Sequence, residues 1–118
     1  MTSRNAKGHA GEAAYARFRE AEGCTVLHLS PSLPSADLLV MDRFGHAELV
    51  EVKTWDREIP PGVREAAIRT MLDWRTSLPD MWRKRTSILI VHVVKIKPDP
   101  NAAPGSPTHR FEVLWRFP

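Results

Sequence analysis

Ala36-Asp-Leu-Leu-Val-Met-Asp-Arg-Phe-Gly45, followed directly by His46-Ala-Glu-Leu-Val-Glu-Val-Lys-Thr54, is the stretch that decides how this chain folds. Residues 36–42 and 46–54 each read as a strand, and Arg43-Phe-Gly45 between them is short enough for a tight turn with Gly45 at positive φ. The pair predicts an antiparallel hairpin. Residues two apart in a strand share a face, so Glu51 and Lys53 project together while Val52 points into the core. Counting back from the turn sets Asp37 across from about 51 to 53. Two carboxylates meeting there repel strongly unless a cation sits between them.

Working outward, Asn5 caps an expected helix from about Ala6 to Glu22, which stops at Gly23. Ala10, Ala14, Phe18 and Ala21 recur at helical spacing and predict one buried stripe. Gly8 and Gly11 weaken the first turn but let another backbone or a phosphate come close. Cys24-Thr-Val-Leu-His-Leu29 predicts a short strand, and the two prolines of residues 30–35 make a loop. After the hairpin, Pro60 and Pro61 precede a helix at about 62–77, with Ala66, Ile68, Met71, Leu72 and Arg75 on its partial apolar face. Thr86 to Ile96 is the most strand-like run and apolar enough to be central. Lys97 to Thr108 carries four prolines and reads as a loop, and His109 to Phe117 alternates as a last strand. The order α-β-β-β-α-β-β over residues 1–118 predicts one α/β domain, a small mixed sheet with helices packed on it.

At 118 residues, with 42% hydrophobic and 26% charged, the chain suits one globular domain rather than a disordered tail. No apolar run is long enough to span a membrane. The lone Cys24 permits no intrachain disulfide, which fits a reducing cytoplasmic setting, or host cytoplasm for a phage protein. The net charge of +3 is mild, but its distribution is uneven. Residues 1–20 hold four bases against two acids, 21–56 two against six, and 57–118 eleven against six. An acidic middle between basic flanks suits a protein that holds a cation inside a surface attractive to a polyanion.

Oxygen-only ligation by Asp37 and Glu51 is what Mg²⁺ prefers. Lys53 beside it could position or deprotonate an attacking water and balance charge on the phosphorus centre. Glu12 on the first helix is the natural fourth member. Taken singly, each is common on solvated strands and helices; their joint order on helix, strand and hairpin is what points to chemistry. The run Lys7-Gly-His-Ala-Gly-Glu12, then Gly23-Cys-Thr-Val-Leu27, a serine-containing loop, Ala36-Asp-Leu-Leu-Val40 and Leu49-Val-Glu-Val-Lys53 resembles the PD-(D/E)xK nuclease superfamily. Within it, the pattern is most similar to the archaeal-type Holliday junction resolvases, which also occur in phages. The match covers roughly residues 7–55. Ala36 stands where the superfamily has its proline, and the helix after Lys53 lacks the glutamine many relatives carry.

The resemblance implies a restriction-endonuclease-like core. It also implies a metal set of Asp37, Glu51, Glu12 and Val52, with Lys53 assisting the attacking water and a loop serine, Ser32 or Ser35, completing the catalytic group. Mg²⁺ is the implied cofactor, with Mn²⁺ able to substitute. The implied activity is cutting of four-way DNA junctions by a C₂ homodimer, leaving a 5′-phosphate and a 3′-hydroxyl. Arg4, Lys7, Arg17, Arg83, Lys84 and Arg85 are the expected DNA contacts. Trp55, Trp74, Trp82 and Trp115 could stack on exposed bases or pack in the core, and the five histidines show no zinc spacing. The alternatives are a restriction-type or repair nuclease acting on linear duplex, or a non-catalytic DNA-binding module on the same fold.

Overall fold

The computed structural model describes residues 4–29, 36–55, 58–97 and 100–117, the side chains of 4–7 excepted. Its elements are α1 (Arg4–Ala21), β1 (Thr25–His28), β2 (Leu38–Met41), β3 (Ala47–Thr54), α2 (Pro61–Thr76), α3 (Asp80–Arg83), β4 (Thr86–Lys95) and β5 (His109–Phe117). The strands form one sheet in the order β1-β2-β3-β4-β5. Only β3 and β4 run parallel among these neighbours, and α2 carries the chain across between them, as a parallel pair requires. This is the mixed α/β sheet expected, with one helical turn, α3, that the sequence pattern does not announce.

The hairpin closes as its residues dictate. Gly45 has φ of 85°. Asp42 Oδ1 accepts from the amides of Phe44 at 2.8 Å and His46 at 3.0 Å, so the turn is locked by its own first residue. The register then pairs Leu38 with Val50 and Met41 with Ala47.

α1 starts at Arg4, so Asn5 lies inside the helix rather than capping it. At its far end Gly23, at φ of 94°, donates to Glu20 and Cys24 donates to Arg19, the paired bonds that seal a helix on a left-handed residue. The expected stripe needs correction. Ala14 is buried, but Ala10, Phe18 and Ala21 are exposed, and the buried face instead runs through Gly11, Ala14, Tyr15 and Ala16. Tyr15 wins because its ring docks edge-on to Phe111 of β5, centroids 5.5 Å apart. Phe18 is left to lean on the outside of Phe111.

The sheet is covered on both faces. Leu38, Val40, Val50, Val52, Leu89, Val91 and Val93 meet Tyr15 and Ala16 of α1. Ala36, Leu49, Ile88 and Ile90 meet Met71 of α2. Ile88 to Val93 of β4 are all buried, as a strand between two layers demands. Pro61 opens α2 at its first position, where a missing amide costs nothing. Among the described residues no helix is long and apolar enough to cross a membrane.

Candidate functional site

Asp37 is the pivot of the site. Its amide donates to Val50 O at 3.0 Å and its carbonyl accepts from Leu29 at 2.9 Å. Its carboxylate Oδ2 accepts from the Val52 amide at 2.7 Å. The side chain thus takes the next β3 donor just where β2 stops pairing, which fixes the carboxylate at the open end of the hairpin. Glu51 and Lys53 project together as the strand period requires, with Lys53 Nζ 2.9 Å from Glu51 Oε1. Val52 itself is buried in the core, so only its backbone lies near the carboxylates, and its amide already serves Asp37.

Glu12 arrives from α1 and shares a hydrogen bond with Asp37. The approach of α1 depends on Gly11. A Cβ at that position would stand 2.0 Å from Thr54 Oγ1, so α1 can lie this close to the end of β3 only over a glycine. The space beside Gly11 is filled by the Thr54 side chain rather than by a backbone or phosphate, and Gly8 has nothing against it.

Burial raises all three carboxyl groups, and repulsion from Asp37 adds to it for Glu12 and Glu51. Glu12 moves from 4.5 to about 7, through burial first, then the Asp37 charge and hydrogen bond, then Glu51. Asp37 is raised by burial, against the pull of the Val52 amide and Lys53. Glu51 is raised by burial and Asp37, against Lys53. Glu12 holds the proton, donating to the Asp37 carboxylate. His9, one helical turn before Glu12, is also within electrostatic reach of Asp37.

Among the described residues no three carboxylates or imidazoles stand at the spacing of a formed ligand shell. The shared proton and the Lys53 ion pair instead offset part of the site's negative charge. Its donor set still suits Mg²⁺: three partly buried oxygen ligands whose repulsion a hard dication would relieve.

Glu51 and Lys53 line a groove of 450 Å³ whose other wall is Gly62, Val63, Ala66, Ala67 and Thr70 of α2. Small residues on that wall leave Glu51 and Lys53 open to the groove. A larger hollow of 870 Å³ lies on the α1 face, lined by Phe18, Phe111 and Glu48 among others, and contains none of the four site residues. There Glu48 is held by Arg19 at 2.7 Å and Arg116 at 3.3 Å, a clamp between α1, β3 and β5.

Ser32 and Ser35 lie outside the described residues, as do the side chains of Arg4 and Lys7. Arg83, Lys84 and Arg85 precede β4, beside Ala47 at the start of β3. Six residues of strand separate that end from the His92–Lys53 pair, about 20 Å. The expected basic cluster therefore sits at the opposite end of the sheet from the carboxylates, and Arg83 is paired with Asp80. Trp74 and Trp115 pack against the core, while Trp82 is exposed.

His92 is a site neighbour that sequence reasoning missed. It is buried, pairs with Lys53 across the ladder, and its Nε2 lies 3.0 Å from Trp55 O. The signal was present: one imidazole in the otherwise apolar run Ile88 to Val94. No protein-family model matches the chain, and no curated protein matches it.

Proposed function

We propose that this chain is a Mg²⁺-dependent, structure-selective endodeoxyribonuclease that resolves four-way DNA junctions. The observation that carries the reading is the convergence of Glu12, Asp37, Glu51 and Lys53, from one helix and two strands, at the open end of one hairpin. The strand order, with three antiparallel strands, a crossover helix and a parallel fourth strand, supports a restriction-endonuclease-like core.

Asp37, Glu51 and Glu12 would hold the ion. When bound, Mg²⁺ supplies Lewis-acid charge on the phosphate and a more acidic water. Lys53, fixed beside Glu51, orients the attacking water and offsets the negative charge that builds on phosphorus. Water oxygen bonds to phosphorus as the bond to the 3′ oxygen breaks, leaving a 3′-hydroxyl and a 5′-phosphate. Glu12 and Asp37 share one proton near neutrality, so ion binding is coupled to its release. Symmetric resolution needs two sites related by a two-fold axis, so the working unit is a C₂ pair.

The test is cleavage of a labelled four-way junction, a linear duplex and a single strand, each with and without Mg²⁺. Mg²⁺-dependent cutting of the junction in preference to excess duplex is expected. Preference for the duplex would make this a restriction-type or repair nuclease, and binding without cutting would make it a DNA-binding module.

A further inference from the structure

The parallel register that starts with Ala47 beside Thr86 brings the turn of the β2–β3 hairpin next to the link between α3 and β4. The Ala47 amide donates to Arg85 O at 2.8 Å, and Arg85 Nη1 lies 4.0 Å from where a Cβ on Gly45 would stand. Both segments are pinned. Asp42 locks the turn through the Phe44 and His46 amides, and Arg75 of α2 donates to the carbonyls of Arg83 and Thr86. On these fixed supports two aromatic rings stand in water, Phe44 at 78% exposure and Trp82 at 57%. Arg43, Lys84 and Arg85 are exposed beside them. Among the described residues none of these three cations is paired with a carboxylate, whereas Arg83 is taken by Asp80. The fold thus removes one member of the basic run 83–85 and supplies another, Arg43, from a different part of the chain.

A lone exposed ring needs no explanation, but two rings interleaved with three such cations on pinned backbone make a surface suited to a partner. Cations take phosphates, and exposed ring faces stack on bases that a duplex has not already stacked. The Arg43 guanidinium carbon lies 5.7 Å from the centre of the Phe44 ring, so cation and ring are presented together. A lipid surface calls for a long amphipathic helix with its apolar groups gathered on one side, and α3 is a single turn. We propose that Arg43, Phe44, Trp82, Lys84 and Arg85 form a binding surface for single-stranded nucleic acid. It lies at the opposite end of β3 from Lys53, about 20 Å along the strand. The proposal goes beyond the cutting of junctions, since it needs neither a metal nor a strand continuous with the scissile one.

The experiment is fluorescence anisotropy of a labelled oligothymidylate of about ten nucleotides, with the full chain in chelator so that nothing is cut. Phe44→Ala and Trp82→Ala should each weaken binding about 5-fold or more with the salt dependence unchanged. Arg43→Gln, Lys84→Gln and Arg85→Gln should each shrink the slope of log affinity against log salt by about 0.7. Lys95→Gln removes an exposed cation at the other end of β4 and, as the charge control, should match the parent. All five side chains of the surface are exposed, so these variants should keep the parent's unfolding midpoint. Parental affinity in either ring variant overturns the inference, as does a parental slope in the cation variants or a Lys95→Gln loss equal to that of Arg85→Gln. So does a parent that binds no single strand, or ring variants that lose a paired duplex or phosphatidylserine vesicles to the same degree. Cleavage is scored separately. A parent that binds as expected and never cuts keeps this surface and loses the nuclease reading; one that cuts junctions while either ring variant binds normally does the reverse.

Discussion

Besides the hydrogen bond it shares with Glu12, Asp37 is held to its neighbouring strands by three more, two through its backbone and one through Oδ2. Asn in its place keeps an oxygen for the Val52 amide but loses the charge that would bind a dication. Asp37→Asn should therefore leave folding and junction binding intact while lowering cleavage by more than about 100-fold, the upper range for loss of a mere outer-shell partner. Full cutting by this variant would end the proposal. Glu12 gives a second prediction, in stability. Its pKa is about 7 in the folded protein against 4.5 unfolded, so its contribution is fully present below 4.5 and is lost as pH rises through about 7. In chelator, the unfolding midpoint of the parent should fall relative to Glu12→Gln across that window. The difference between the two proteins isolates Glu12 from His109, whose lowered pKa pulls stability the opposite way. Asp37, Glu51, Lys53 and Glu12 were legible as residues because strand period and turn position place three of them. The Glu12 proton was not, since it arises from burial and from the closeness of another carboxylate.

At the scale of elements, the crossing of α1 over β3 rests on one missing methyl group. A Cβ on Gly11 would overlap Thr54 Oγ1 and approach Thr54 Cβ to 3.1 Å. Gly11→Ala should destabilise the protein by about 1–3 kcal/mol despite alanine's better helix propensity, and should lower cleavage by lifting Glu12 from Asp37. Thr54 Oγ1 is buried without a hydrogen-bond partner, so Thr54→Ala sacrifices no bond. The double variant should recover part of the loss, read as a coupling energy in a denaturant cycle. The hairpin and the helix at 61–76 follow from alternation, Gly45 and the proline pair, all of which act within a few residues. The buried face of α1 does not. Ala10, Ala14, Phe18 and Ala21 make as good a stripe on paper as Gly11, Ala14 and Tyr15, and only contact with Thr54 and Phe111 chooses between them.

Across the whole molecule, a sheet covered on both faces carries the carboxylates at one end and Arg83, Lys84 and Arg85 at the other. Met71 is the single buried side chain of α2, the helix that also walls the groove beside Glu51 and Lys53. Met71→Ala should cost about 2–5 kcal/mol in unfolding free energy, measurable by urea titration, and should loosen that wall. The paired termini of β3 and β4 place Arg83 to Arg85 at one end of the sheet and the carboxylates at the other. The sequence by itself determined the two long helices, the strands, the hairpin and the pairing of Asp37 with the Glu51–Lys53 strand, because side-chain periodicity, proline and glycine constrain the backbone locally. The tertiary structure alone decided that Glu12 shares a proton with Asp37 and that Thr54 seats Gly11. Those contacts join segments whose mutual register is set by packing across the core, and no local pattern encodes a distance between residues far apart in the chain.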